Sequence, residues 1–389
     1  MHSLQPARSD RRTTPHPKLL LLTITLLWNP FDINAQPPLT TRLDSFFHTL
    51  PPNQPGIALS IQKAGDILYQ NTAGLADPTT PLDSTTNFRM ASLSKQFTAM
   101  AILLLEKDHR LNLDDPIGHW LPELPATIGQ HVLIRHLLTH SSGIEDYETL
   151  IPDTQTTQIL DKDVLELLTH QDTTYFPPGT RFRYSNSGFC LLALIIERAS
   201  HQSYAGYIKE HIFLPLHMDH STVYEKDHPI FHRAMGYAKD STGKTIPRDQ
   251  DVTSATKGDG GIYTSLVDYR KWIRALQQNR LINLPATLRR LRFPIRTAPD
   301  NSTSDNNTPN TFYAAGWFIC DQSPLVLFHS GSTCGFATYI IQIPGDEWSI
   351  TYFSNLAENH APFQQILKLL EANGMTGLSA AVGLQDLTR

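Results

Sequence analysis

Ser92-Leu93-Ser94-Lys95-Gln96-Phe97-Thr98-Ala99-Met100-Ala101-Ile102-Leu103-Leu104-Leu105 decides how this chain is read. Between positions 97 and 105 only Thr98 is polar, which predicts a helix apolar on nearly all sides and therefore buried. Upstream, residues 56–70 alternate apolar and polar side chains around Gly65-Asp66, as a hairpin does. Downstream, residues 112–125 read as an irregular, proline-bearing stretch, and 132–139 as a short helix ended by Ser141-Ser142-Gly143. Further helical patterns lie at 164–168 and 188–199. A Ser/Asn/Asp/Thr/Pro-rich loop follows at 297–311. Beyond it, 312–319, 325–328, 337–343 and 349–353 read as successive strands, closed by a helix at 362–372. Strands at both ends with helices between them predict an α/β (α+β) fold. Its antiparallel sheet is built from both chain ends, flanked by helices and joined by a helical insertion.

The same opening stretch carries chemistry. Ser92 and Lys95 stand three apart where a helix begins, a spacing that puts both on one face. Unpaired backbone N–H groups at a helix start can hold an oxyanion. Burial and the positive helix end both favour a neutral, proton-accepting lysine. The pattern is cheap, however: Ser60/Lys63, Ser241/Lys244 and Ser254/Lys257 share it. The first of these falls in a strand, where i and i+3 point to opposite faces, and the other two precede no buried helix. Taken alone, Ser92 and Lys95 also fit a helix cap beside a solvated lysine.

Tyr184-Ser185-Asn186 follows Pro177-Pro178-Gly179 and precedes a helix, so it can project Tyr184 and Asn186 into a cleft. A tyrosine near a lysine can move protons and an asparagine can hold a substrate amide. A core tyrosine and a capping asparagine fit as well. His329-Ser330-Gly331 ends an apolar strand, where a glycine would let substrate lie along the edge and Ser332 would offer its N–H.

In this order and spacing the three boxes resemble those of the serine β-lactamase and penicillin-binding protein superfamily. The nearest branch is that of class C β-lactamases, D-alanyl-D-alanine carboxypeptidases and esterases, with Ser-x-x-Lys, Tyr-x-Asn and Lys- or His-x-Gly. Other stretches agree: Asn87-Phe88-Arg89-Met90-Ala91, Leu111-Asn112-Leu113-Asp114-Asp115-Pro116, residues 134–143, Pro178-Gly179, and Gly260-Gly261-Ile262-Tyr263-Thr264 before Asp268 and Trp272. The likeness spans residues 39–370. It implies a β-lactamase/transpeptidase-like fold with Ser92 as nucleophile and Lys95 with Tyr184 handling its proton. It further implies that Asn186, His329, Gly331 and Ser332 line the substrate site, with the Ser92 and Ser332 amides as oxyanion hole. A serine hydrolase acting through an acyl-enzyme on a D-amino-acid peptide, a β-lactam or an ester is the expectation. A noncatalytic penicillin-binding sensor that retains the cleft is the rival.

Composition narrows the field. With 389 residues, 40% hydrophobic and 18% charged, the chain can bury a large core, which excludes wholesale disorder. A net charge of −5 implies no basic face and makes a nucleic-acid partner unexpected; a small molecule or peptide is the expected partner. Arg8, Arg11, Arg12 and Lys18 precede a short apolar run from Leu19 to Trp28, and Ala35 offers a cleavage point. Residues 1–35 thus read as a secretory signal, with an uncleaved anchor or a buried helix as alternatives. The expected domain is 36–375 with a loose tail at 376–389, working in the periplasm or outside the cell, with no later membrane span. Three cysteines are too few for a disulfide scaffold; Cys320 and Cys334 could pair, but both border strands whose registers would not meet, so free, buried thiols are expected. His136 and His140 stand four apart on a predicted helix, but Leu137 denies them the zinc-protease pattern; no metal or cofactor is expected. Gly331-Ser332-Thr333-Cys334-Gly335 is not a nucleophile elbow, because its centre is threonine.

Overall fold

The computed structural model describes residues 37–291, 295, 297, 310–376 and 378. Residues 1–35, read above as a signal, lie outside them, as does nearly all of the 297–311 loop and of the tail, of which Thr376 and a buried Leu378 are described. Seven antiparallel strands form one sheet in the order Asp66–Ala73, Ile57–Lys63, Trp348–Ser354, Phe336–Ile343, Val326–Thr333, Trp317–Asp321, Asn310–Ala314. Its first two strands come from the beginning of the chain and the other five from the end, so the expected pairing of the two chain ends is what is found.

The hairpin turn sits one residue earlier than the sequence suggested. Ala64 and Gly65 both take positive φ, and Lys63 faces Asp66 across a two-residue loop. The run 312–319, read as one strand, is two: Ala315 and Gly316 turn left-handed between Ala314 and Trp317, which face each other. The alternation hid the turn because both flanks are apolar and buried. The strand expected to stop at 328 runs on to Thr333. Pairing with Phe336–Ile343 through Thr333↔Phe336 carries its polar end. The stretch 112–125 contains one short helix, Ile117–Trp120, and the helix expected at 132–139 spans Ile134–Leu138.

Helices cover both sheet faces. Leu39–His48 and Ala361–Glu371 pack together on one side, where Tyr339 stacks on Phe363 with centroids 4.5 Å apart. On the other lie Leu266–Gln277 and the central helix Lys95–Lys107, joined by Phe97 stacked on Trp272 at 4.4 Å. Residues 95–105 of the central helix are all buried. Its one mid-helix polar side chain, Thr98, donates to the Gly258 carbonyl at 2.6 Å, so it costs nothing unsatisfied. Against the central helix pack Asn186–Ser200 and the rest of the helical insertion. Among the described residues no helix is long and apolar enough to cross a membrane.

Candidate active site

Ser92 lies in a short 3-10 turn, Ala91–Ser94, immediately before the central helix and not in its first turn. The turn is strained at its first residue, since Ala91 holds φ +48 while buried. It is clamped by the sheet: Thr338 Oγ1 donates to the Met90 carbonyl at 2.9 Å, and the Ile262 amide donates to Ser94 Oγ at 3.0 Å. Gly331 belongs to this clamp. A Cβ there would stand 2.4 Å from the Met90 oxygen and 2.4 Å from Thr338 Oγ1. The glycine is therefore required for the strand's close approach to the turn that carries Ser92.

Lys95 is fully buried and donates three hydrogen bonds, to Ser92 Oγ at 3.0 Å, Asn186 Oδ1 at 2.8 Å and the Asp259 carbonyl at 2.9 Å. Three acceptors around one nitrogen are the coordination of an ammonium. Burial alone pulls its pKa down, but Tyr184 and the Asp259 carboxylate overcome it, and the net shift is upward. The neutral resting lysine expected from burial is thus corrected. The structure supplies the three acceptors and the Asp259 carboxylate that the helix pattern could not reveal.

Tyr184 brings its ring centroid 5.0 Å from Lys95 Nζ, and its hydroxyl is buried without a hydrogen-bond partner. Burial raises its pKa, opposed by Lys95 and Ser92. The tyrosine is held by His140, whose ring lies 4.1 Å from it and whose Nδ1 accepts from the Ser185 amide at 3.2 Å. His136 likewise accepts from the Leu133 amide at 3.1 Å. The two histidines thus spend ring nitrogens on the backbone, and the His140 left-handed turn (φ +51) breaks the helical register that would align them. Asn186 opens its helix and links Lys95 to Glu148, donating from Nδ2 to Oε1 at 3.0 Å.

Ser92, Asn186 and Ser332 line one small, open cleft, together with Arg89, Tyr147, Glu148, Asp259 and Gly260. His329 does not line it. Its ring is buried, shares a hydrogen bond of 3.0 Å between Nε2 and the Tyr313 hydroxyl, and sits 6.3 Å behind Tyr184. Burial, and then Lys95, lower its pKa to about 3, so it stays neutral throughout the physiological range. The expectation that it faces substrate is corrected: the strand's inward face turns this side chain into the core.

Residues 43–372 match the family described as Beta-lactamase. The chain belongs to the Beta-lactamase family. It is 34% identical over 328 residues to penicillin-binding protein 4* of Bacillus subtilis, covering 79% of this chain and 70% of that protein. To protein flp of Staphylococcus aureus it is 30% identical over 321 residues, which spans 61% of flp. The solved structure of a penicillin-binding protein from Bacillus halodurans superposes with a TM-score of 0.69 at 27% identity, over 87% of this chain and 99% of that one. Members of the Beta-lactamase family are serine hydrolases, and the sheet with its helices described above is their fold.

Sequence reasoning missed three carboxylates that stand at or just behind this cleft. Asp259 places its carbonyl on Lys95, accepts from the Tyr147 hydroxyl at 3.0 Å, and leaves Oδ1 buried and unpartnered. Asp161 holds that loop by accepting from the Lys257 amide at 3.0 Å and the Gly258 amide at 3.1 Å. Burial, and then Asp259, push its pKa up to about 7. Glu148 stands at the cleft rim. All three are ordinary surface-type residues in sequence, and only the Gly260-Gly261 segment beside Asp259 gave a signal. Asp161, Cys190 and Asp259 bring ligand-type atoms within 4.8 Å of one another. The two backbone N–H groups on Asp161 and the Lys95 ammonium beside Asp259 already supply positive charge there. All three cysteines are free; Cys190 and Cys320 are buried and Cys334 is partly exposed.

Proposed function

We propose that this protein is an exported serine hydrolase that works through an acyl-enzyme on Ser92, with a D-amino-acid peptide, a β-lactam or an ester as substrate. The observation that carries the reading is the 3.0 Å bond from Lys95 Nζ to Ser92 Oγ at a strained turn facing the cleft. Ser92 Oγ attacks the substrate carbonyl and gives up its proton. Lys95 and Tyr184 take it as a unit: either neutral amine with phenol, or ammonium with phenolate, becomes ammonium with phenol. The same pair returns the proton to the leaving group, and water then repeats the attack on the acyl-enzyme. The Ser92 and Ser332 amides are assigned to the oxyanion. Export rests on the basic segment and short apolar run that precede Ala35.

Intact-mass spectrometry after treatment with a fluorophosphonate and, separately, benzylpenicillin tests the chemistry. An adduct mapped to Ser92 and absent from Ser92→Ala is the expected result. Labelling at another serine overturns the assignment, and a Ser92 penicillin adduct with no ester turnover would establish the sensor reading instead. A mature chain beginning near Gln36 is expected from N-terminal sequencing of exported protein, and an intact 1–35 segment on membrane-bound protein would replace the signal with an anchor.

A further inference from the structure

Water that opens an acyl-enzyme must give up a proton as it adds to the carbonyl, so a base has to face that water. Lys95 is fully buried on its three acceptors, and the Tyr184 hydroxyl is buried beside it. No histidine is found among the described residues that line the cleft. His140 and His329 both lie by the Tyr184 ring, and burial lowers the pKa of each. Of the nearby carboxylates, Asp146 is spent on the Asn186 and Glu148 amides at 2.6 and 3.1 Å. Asp259 accepts from the Tyr147 hydroxyl at 3.0 Å, and its Oδ1 is buried out of reach of solvent. Glu148 differs from both. It lines the same small cleft as Ser92 and reaches solvent at the rim. Among the described residues its carboxylate takes one hydrogen bond, from Asn186 Nδ2 to Oε1 at 3.0 Å. Asn186 is held in turn by Lys95 at 2.8 Å and Lys95 bonds Ser92 at 3.0 Å, which fixes the carboxylate relative to Ser92 Oγ.

Resting on the serine-hydrolase reading above, we infer that Glu148 is the base of the second half-reaction and takes the proton of the water that attacks the Ser92 acyl-enzyme. The two half-reactions then use different bases, the buried Lys95–Tyr184 pair for Ser92 and the rim carboxylate for water. Protein packed around the Glu148 carboxyl, then Asp146 and Asp259, push its pKa up to about 7, opposed by Lys95 and the Asn186 hydrogen bond. Arg89 is the other charged group on the cleft. A base that titrates near the working pH accepts a proton readily and is still present in its ionised form. In the step, the water oxygen bonds to the acyl carbon while one water proton passes to Glu148. The bond from that carbon to Ser92 Oγ then breaks, and Oγ takes a proton from the Lys95–Tyr184 pair. The released carboxylic acid returns a proton to the pair, and Glu148 sheds its own to solvent at the rim. One water is consumed, a carboxylate and a proton leave, and the enzyme is restored.

The test separates the two half-reactions with p-nitrophenyl acetate, since acylation releases p-nitrophenolate and deacylation frees the enzyme. Glu148→Gln keeps an amide oxygen for Asn186 Nδ2 and removes the basicity. It is expected to show a burst of about one equivalent followed by turnover slowed about 10²-fold or more, with acetyl-Ser92 accumulating by mass spectrometry. Fluorophosphonate labelling of Ser92, which needs no water, should keep a rate within about twofold of the parent. Hydroxylamine attacks an ester without a base and should restore turnover in the variant. In the parent the deacetylation rate should rise with pH through about 7, as Glu148 loses its proton, and the variant should lack that rise. Unchanged turnover in Glu148→Gln overturns the inference. A loss of labelling equal to the loss of turnover also overturns it, because Glu148 would then only hold Asn186 in place. An acetyl adduct that hydroxylamine does not release overturns it as well. Failure of the acyl-enzyme reading is distinct: neither parent nor variant would carry any adduct on Ser92, and the inference would fall with it.

Discussion

Ser60 and Lys63 have the spacing of Ser92 and Lys95, yet the two pairs share nothing else. Ser60 is buried inside the sheet, while Lys63 ends the same strand exposed, its Nζ 5.0 Å over the Trp348 ring. Ser92 is partly exposed, while Lys95 is sealed beneath it and hydrogen-bonded to it. A strand sends i and i+3 to opposite faces, and a helical turn stacks them. Ser254 and Lys257 offer a third case, with Ser254 Oγ given to Asp251 and Lys257 paired with Glu225 at 3.1 Å. Equal spacing thus yields a sheet plug, a loop brace and a serine that faces the cleft with a buried lysine beneath it. Backbone conformation and burial of the cation decide which.

Removing the serine of each pair separates them most sharply. Ser92→Ala is expected to lose ~10³-fold or more of kcat on p-nitrophenyl acetate while folding normally, and Ser60→Ala to stay within about twofold of the parent. Equal losses would show that the ester is cleaved elsewhere.

The cations should differ next. Lys95→Met and Tyr184→Phe are each expected to cost about 10²- to 10⁴-fold, whereas Lys63→Met leaves the rate unchanged. In the parent, burial lowers the Lys95 pKa less than Tyr184 and Asp259 raise it, and burial raises that of Tyr184. The pair therefore keeps its full complement of protons near neutrality. Only the form lacking one proton accepts from Ser92, so kcat/KM should climb with pH between about pH 6 and pH 9. A flat profile over that range would mean that neither group is the base.

A smaller effect sharpens the contrast between the cleft and the core behind it. His329→Lys is expected to lower the rates on a carboxylate-bearing substrate and on a matched neutral ester together, by about tenfold, leaving their ratio intact. An ammonium at that position would be buried close behind Lys95 and Tyr184 and out of reach of substrate. A ratio shifted toward the carboxylate substrate would return His329 to the cleft.

The smallest expected effect concerns the two left-handed alanines. Ala64→Gly in the hairpin turn should raise stability by up to ~1 kcal/mol in thermal unfolding, since glycine relieves the φ +51 strain there. Ala91→Gly relieves a φ of +48 but loosens the packing of the Ser92 turn on Gly331, so its cost should appear in kcat and not in Tm.

Much of the fold was open to reading because its signals are local. Hairpin alternation, an almost wholly apolar helix and a strand-rich end survive whatever packs around them. The turn at Ala315-Gly316 escaped because two buried strands in succession look like one long one. At the site, Ser92, Lys95, Tyr184 and Asn186 were legible as motifs, and they meet. Asp161, Asp259 and Glu148 were not, because each acts through partners far away in the chain.

What the chain determined by itself is which residues lie on one helical turn, where the backbone must bend, and which stretches must be buried. These follow from backbone sterics and side-chain transfer out of water, which act over a few residues. The hydrogen-bond surroundings of Lys95 and the inward turn of His329 were decided only in the folded protein. Each depends on charges and dipoles brought within a few ångströms from distant segments, in surroundings that screen them poorly.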